Sequence, residues 1–252
     1  MRKRRILAVS ALKGGVGKTT TAVNLAAACA RAGRKVLLVD VDPQGCVGAS
    51  IGLGGEAGLD AWLVGEAAFE EVVVRENRPN LDVLVAGARL LAAEDQLREK
   101  GKEKRRHRLE RRLRDLDGED YDLVVLDCPP SASLLLENAW FAAQELVLPA
   151  KLDPLSLPAL DRTKRLVAAM DADRPKPLRI DGVLPTFYDL RTHVSDETLD
   201  AIRERFTKIL TPIRINAALA EAPRTGKTIY ELDPSARGAV DYALLAEDLG
   251  LV

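Results

Sequence analysis

The chain has 252 residues, enough to bury a large core, and its length suits one α/β domain better than two small ones. Its 37 Lys+Arg balance 38 Asp+Glu to a net charge of −1, which excludes a globally basic protein and confines any nucleic-acid-binding face to a local patch. The three cysteines, Cys29, Cys46 and Cys128, have no CxxC spacing, and no run of about 18 apolar residues occurs. A disulfide framework, a structural zinc site and a membrane-spanning helix are therefore not expected, and a reduced, cytoplasmic protein is.

In chain order, the basic start Met1 to Arg5 leads straight into an apolar run, Ile6-Leu7-Ala8-Val9. No signal peptide and no N-terminal helix-turn-helix extension are expected. After this strand come SALKGGVGKTTT, residues 10–21, and a helical pattern from about Thr20 carrying Val23, Leu25, Ala26 and Ala30. Residues 35–40 form a second strand, broken by VDPQG at 41–45. A weak helix follows at 58–63, then strands at 81–86 and at 121–127, the latter stopped by Cys128-Pro129-Pro130. Two further strands, 145–149 and 180–185, flank a helix from about Leu157 to Ala172. A helix from Ser195, its N-cap, runs to Phe206, and a last one spans about Ser235 to Leu249. Strands alternating with helices imply a doubly wound, mainly parallel sheet with helices on both faces, of the P-loop NTPase type, as a single domain over 1–252.

The chemistry concentrates in the loop after the first strand. A glycine-rich turn between a strand and a helix aims successive N–H groups and a helix N-terminus at phosphate oxygens. Lys18 reaches the β- and γ-phosphates, and the Thr19 hydroxyl suits Mg²⁺. The standard pattern has a glycine where this chain has Leu12, and an additional lysine, Lys13, stands beside the glycines. Ligands of such sheets bind beyond the carboxyl ends of the strands, so two acids matter. Asp127, closing VVLD, would hold Mg²⁺ or its water ligands, and Asp42 would orient the attacking water. Singly, each has an ordinary alternative as a turn or capping aspartate.

The set KGGVGKTTTAVNLA, VDVDPQG, YDLVVLDCPPS, TFYDLRT and LAEAPRTGKTI resembles the ParA/Soj branch of the ParA–MinD family of deviant Walker-A ATPases, from Ile6 to about Leu249. The resemblance implies a DNA-partitioning ATPase that is slow alone. It would dimerise around ATP and Mg²⁺, bind duplex DNA without sequence preference, and return to monomer when a ParB-type partner stimulates hydrolysis. It would associate with the nucleoid in the ATP state. By the same resemblance Lys13 reaches the partner subunit's ATP. Gly14, Gly15, Val16, Gly17, Lys18, Thr19 and Thr20 hold the phosphates, and Asp42 and Asp127 serve hydrolysis and the metal. Pro185, Thr186 and Arg214 lie around the adenine. Arg191 matches a DNA-contacting arginine, but the second such cation of the family is replaced by Ala218, leaving Arg214, Arg224 and Lys227 as substitutes.

Residues 98–114 form a second basic feature, with ten Lys/Arg, and Leu109, Leu113 and Leu116 spaced to pin one helical face to the core. It reads either as a solvated surface with pairs such as Glu110 with Arg114, or as a phosphate-contacting stripe that includes Lys104, Arg105, Arg106, Arg108, Arg111 and Arg112. His107 is expected to be exposed. Cys128, Trp62, Trp140 and Phe141 read as packing residues. A MinD-like membrane cycle needs an amphipathic anchor that the acidic end AVDYALLAEDLGLV does not supply, and a cluster-bearing ATPase needs paired cysteines. A relative that positions a protein assembly by the same cycle is the remaining rival.

Overall fold

The computed structural model describes residues 4–54, 57–116, 121–189 and 193–252. Its strands are β1 (Arg5–Val9), β2 (Val36–Asp40), β3 (Val74–Arg78), β4 (Leu81–Leu84), β5 (Leu123–Asp127), β6 (Glu145–Lys151) and β7 (Arg179–Thr186). They form one sheet in the order β3-β4-β2-β5-β1-β6-β7, parallel throughout except where β3 meets β4. The uninterrupted apolar runs of the central strands follow from burial on both faces. Leu7, Val9, Leu38 and Val125 point to a core closed by helices Lys18–Arg31 and Arg237–Asp248. Their neighbours Ala8, Leu37, Val39 and Leu126 point to a second core, closed by Leu59–Val64, Leu90–Arg98, Leu134–Ala142 and Ser156–Asp171. The expected doubly wound sheet is therefore present. Among the described residues no helix is long and apolar enough to cross a membrane.

Several stretches depart from the sequence expectation. β3 is an antiparallel edge strand that the polar sequence Val-Arg-Glu-Asn-Arg did not announce. It turns into β4 through Asn80, at φ 62, a left-handed conformation that asparagine tolerates. Helix Leu134–Ala142 also escaped, because it is apolar nearly all round and lacks an amphipathic period. Ser133 caps it by accepting a hydrogen bond from the Leu136 N–H at 3.2 Å. The helix expected to start after Ser195 begins at His193 and ends at Arg203, so Ser195 falls inside it.

The basic run is two helices, Lys102–Arg106 and Arg108–Arg114, interrupted at His107. Asn138, 1% exposed, sits under the break. Its amide donates to the carbonyls of Arg105 (2.9 Å) and Leu134 (2.8 Å), and its oxygen accepts from the Leu109 N–H (3.1 Å). Leu109, Leu113 and Leu116 are buried as their spacing required. His107 is not exposed: its ring lies 4.4 Å from that of Phe141, and its Nδ1 lies 2.7 Å from Glu110 Oε2. Asn138→Ala leaves buried backbone groups unpaired and is expected to lower the unfolding free energy by about 1–3 kcal/mol. Lys104→Ala, on the exposed side of the same run, should stay within about 0.5 kcal/mol in the same urea titration.

Candidate nucleotide-binding site

The loop between β1 and the helix Lys18–Arg31 is shaped to receive an anion. Its floor is fixed at two points: the Ser10 N–H donates to the Val147 carbonyl at 3.1 Å, and Thr186 Oγ1 donates to the Val16 carbonyl at 2.9 Å. Gly15 and Gly17 take left-handed φ values of 68° and 83°. A Cβ placed on Gly14 or Gly15 would meet nothing within 4 Å, so the mouth of the loop is open. The helix that follows has no side-chain N-cap and no acid in its first turn, leaving its first N–H groups for a ligand. Leu12, in the place of the usual glycine, packs half-buried against the core beneath the loop. Lys18 is 8% exposed, and Thr19 and Thr20 stand half-buried at the helix start.

Two aspartates end adjacent strands side by side. Asp40 of β2 and Asp127 of β5 are register partners, and Asp127 is also level with Val9 of β1. Thr19 Oγ1 donates to Asp127 Oδ2 at 2.6 Å, while the buried Asp127 Oδ1 has no partner among the described residues. Burial, then the nearby charge of Asp40, pushes Asp127 well above the usual carboxylate range, against the opposing hydrogen bond from Thr19 and the charge of Lys18. Burial likewise raises Asp40 to about 7, although the N–H groups of Val47 (2.9 Å) and Asp42 (3.1 Å) stabilise its charge. Asp42, 7% exposed, accepts from the Gln44 N–H at 3.0 Å. Sequence reasoning named Asp42 and Asp127 and missed Asp40. The usable signal was its position at the carboxyl end of a buried strand, the argument already applied to Asp127.

An orphaned carboxylate oxygen beside a threonine hydroxyl and an open phosphate loop fits a hydrated Mg²⁺. Such an ion takes few protein ligands and completes its shell with waters and phosphate oxygens. Among the described residues no group of three His, Cys, Asp or Glu could by itself hold a metal ion.

The remaining candidates divide. Lys13 Nζ contacts both carboxylate oxygens of Asp153 at 2.6 Å and Ser156 Oγ at 3.3 Å. Burial works against ionisation of Asp153, but Lys13 and Ser156 outweigh it and hold its carboxyl below the usual range. Pro185 and Thr186 end β7 next to the loop, and the Ile213 N–H donates to the Pro185 carbonyl at 2.8 Å, bringing Arg214 alongside. Arg214 is occupied by Asp241 at 2.5 Å. Phe187, unremarked in the sequence, adopts φ 52 and lies 3.7 Å from where a Gly17 Cβ would be, with Lys151 Nζ 4.4 Å from its ring centroid. A bulky residue held at positive φ beside a ligand loop marks a place where packing overrides backbone preference.

Among the basic residues, Arg224 and Lys227 are exposed, and Arg105 is half-buried. Arg106 departs from the expected stripe. It is 7% exposed, lies over the Phe141 ring and pairs with Asp173 at 2.6 Å and Glu137 at 3.1 Å, so its charge is already neutralised. Ala218 sits in the short helix Ala217–Glu221, where Asn216 caps its N–H at 2.9 Å. Arg191 lies outside the described residues.

A family profile described as an AAA domain matches residues 4–180. The sporulation initiation inhibitor protein Soj of Bacillus subtilis is 37% identical over 97% of this chain and 98% of its own length. The chain belongs to the ParA/Soj family of partitioning ATPases. The chromosome-partitioning ATPase Soj of Thermus thermophilus is 39% identical, over 98% of this chain and 96% of its own. Among solved structures, cobyrinic acid a,c-diamide synthase of Mycobacterium smegmatis, with a bound ATP analogue and magnesium, matches at a TM-score of 0.84 and 32% identity. That match covers 97% of this chain and 93% of the other.

In this ParA/Soj chain the raised Asp40 has a definite pH signature. Its folded pKa, about 7, exceeds the ordinary value of 3.8. The stability contributed by the neutral carboxyl is therefore complete below the unfolded value and is lost as pH rises through the folded one. Urea unfolding of nucleotide-free protein should show wild type losing stability relative to Asp40→Asn by up to about 1.4 kcal/mol per pH unit between those limits.

Proposed function

We propose that this ParA/Soj chain partitions DNA by an ATP-driven cycle of dimerisation. The single observation that carries the reading is the division of labour between two lysines. Lys18 lies at the foot of the open phosphate loop beside Asp127, whereas Lys13 is held at the rim by Asp153 and Ser156. One lysine serves the subunit's own nucleotide and the other is available to a neighbour's.

In this reading the loop N–H groups of residues 13–19 and the Lys18 ammonium bind the β- and γ-phosphates, and Thr186 holds the loop in shape from below. Thr19 with Asp127 would hold Mg²⁺, which would supply charge neutralisation at the phosphates when bound. Asp42 orients the attacking water. Pro185, Thr186 and the strip around Arg214 border the adenine. Lys13 crosses to the partner's γ-phosphate, so that an anion between two subunits is neutralised from both sides and its loss on hydrolysis releases the dimer. The exposed cations Arg224 and Lys227 meet DNA phosphates without reading bases. A ParB-type partner completes the hydrolytic site, which is slow by itself because the chain's own residues only position water and charge.

Sedimentation of the protein with ADP, with ATP, and with ATP plus mixed-sequence duplex DNA tests the reading. The expected result is a dimer only with ATP, and DNA retention that follows the dimer and weakens as salt rises. Lys13→Ala should keep nucleotide binding and lose the dimer. A monomer in every condition, or a Lys13→Ala variant that still dimerises with ATP, overturns the assignment. Asp42→Ala should bind ATP and dimerise while releasing phosphate at least about 100-fold more slowly in the presence of the activator, as expected for loss of a water-positioning group. Normal turnover by that variant removes Asp42 from the chemistry.

A further inference from the structure

Asp42 and the exposed cations Arg224 and Lys227 belong to segments far apart in sequence, yet one side chain ties those segments together. Hydrogen bonds tie the turn after Asp42 to the short helix that follows it. The Gly45 N–H donates to the Asp42 carbonyl (2.9 Å), the Val47 N–H to Asp40, and helix Cys46–Ser50 closes on itself through the Leu53 N–H to Gly48 (2.9 Å). The Gln44 N–H to Asp42 (3.0 Å) and the Ile51 N–H to Gly48 (3.2 Å) complete the connection along the segment from Asp42 to Ile51.

At its far end it meets the loop that bears the cations. Arg78, the last residue of β3 and 16% exposed, forks between the two. Both terminal nitrogens reach the Ile51 carbonyl (3.3 and 3.4 Å), Nη2 donates to the Gly226 carbonyl at 2.9 Å, and Nε donates to Glu231 Oε2 at 2.9 Å. Asn77 supplies a further acceptor. Glu231 is fixed in turn by the Thr228 N–H at 2.8 Å and the Thr228 hydroxyl at 3.0 Å. Behind the guanidinium, Gly52 and Gly226 touch backbone to backbone: a Cβ on Gly226 would stand 2.9 Å from Gly52 Cα. Both glycines are left-handed, at φ 73 and 66. Gly226 lies between Arg224 and Lys227, whose side chains form no ion pair among the described residues. The chain just beyond is anchored to the phosphate-loop helix, since Asn24 accepts from the Ile229 N–H (2.9 Å) and donates to the Thr20 carbonyl (2.8 Å).

We propose that Arg78 is a positioning residue that couples the Asp42 segment to the Arg224/Lys227 loop, so that the nucleotide state sets how these cations are presented to DNA phosphates. The proposal rests on the DNA-binding reading above for its ligand. It rests on geometry for its linkage. One end of the 222–228 loop is held to the phosphate-loop helix through Asn24, and its middle is clamped to Ile51. A shift of the Asp42 segment toward a γ-phosphate is then passed to Gly226, which has Lys227 on its anchored side and Arg224 two residues before it. By reciprocity, DNA on the cations biases the Asp42 segment and changes ATP turnover. A planar fork serving two carbonyls and a carboxylate at once cannot be replaced by lysine, whose ammonium is a single point.

Hydrogen exchange across residues 222–228, with ATP and with ADP, reads the linkage directly, and filter retention of mixed-sequence duplex in the same two states reads its consequence. Wild type should differ between the two nucleotides in both measurements. Arg78→Gln, with Arg78→Lys as the variant that keeps the charge and is less prone to misfold, should still bind ATP and dimerise. Both should lose the nucleotide-dependent difference in exchange, and their ATP-to-ADP ratio of DNA affinity should fall by roughly 5-fold or more. A folded Arg78 variant that keeps the wild-type exchange difference and affinity ratio overturns the proposal. If wild type shows the exchange difference and Arg78→Lys abolishes it, yet neither retains DNA, the linkage stands and the DNA reading fails.

Discussion

Placing Asp40 and Asp127 side by side at the ends of adjacent buried strands is the constraint on which the rest of the site depends. Two carboxylates in register within a dry core cannot both ionise cheaply, and both are driven toward the neutral form. The chain answers with local polar groups: the Thr19 hydroxyl on Asp127, and the Val47 and Asp42 N–H groups on Asp40. Each answer fixes a functional element. The first orients the start of the phosphate-loop helix, and the second shapes the turn that carries Asp42. Among the described residues, one oxygen of Asp127 is left without a partner. That acceptor suits a cation or the water ligands a hydrated cation carries, which can donate to it.

The sheet makes this arrangement possible. Because β2, β5 and β1 run parallel and end level, the loops after them open on one edge of the sheet, and residues separated by over a hundred positions become neighbours. The price of parallel order is paid at the margin, where β3 runs antiparallel and polar. Its last residue, Arg78, would be an ordinary edge arginine by composition. Besides the adjacent Asn77, its acceptors at Ile51, Gly226 and Glu231 come from segments that only the closed fold brings together.

What was legible in the sequence followed from local pattern. The phosphate loop could be read because its glycines, lysine and threonine are contiguous and lie between a strand and a helix. Asp127 could be read because it closes an apolar run. Those signals are short-range and chemical. Asp153 and Ser156 carry no such mark, since their meaning comes from Lys13, which lies about 140 residues away. Phe187 looked like one aromatic in a loop until its positive φ and its position over Gly17 were visible. The basic run shows the reverse error. Its charges suggested one exposed helix, but Arg106 faces inward and Asn138, forty residues from the start of the run, sets the break at His107. A helical period reports which face is apolar. It does not report which cation finds a buried acid, nor what lies beneath a break.

On the proposed cycle, the bond between Lys13 and Asp153 bears on how sharply assembly responds to concentration. The two side chains are 24% and 37% exposed, so their pair belongs with partly solvated ion pairs worth about 0.2–1 kcal/mol. A lysine held this way is free for another subunit in only a fraction of molecules, lowered about 1.4- to 5-fold relative to an unpaired one. In the symmetric dimer proposed above, both copies must release it. The discount is therefore squared, to about 2- to 30-fold in the association constant, and it acts on subunit pairing while leaving each monomer's own affinity for nucleotide untouched. On the proposed cycle, a weak surface contact thus separates the filling of the site from the meeting of two filled molecules.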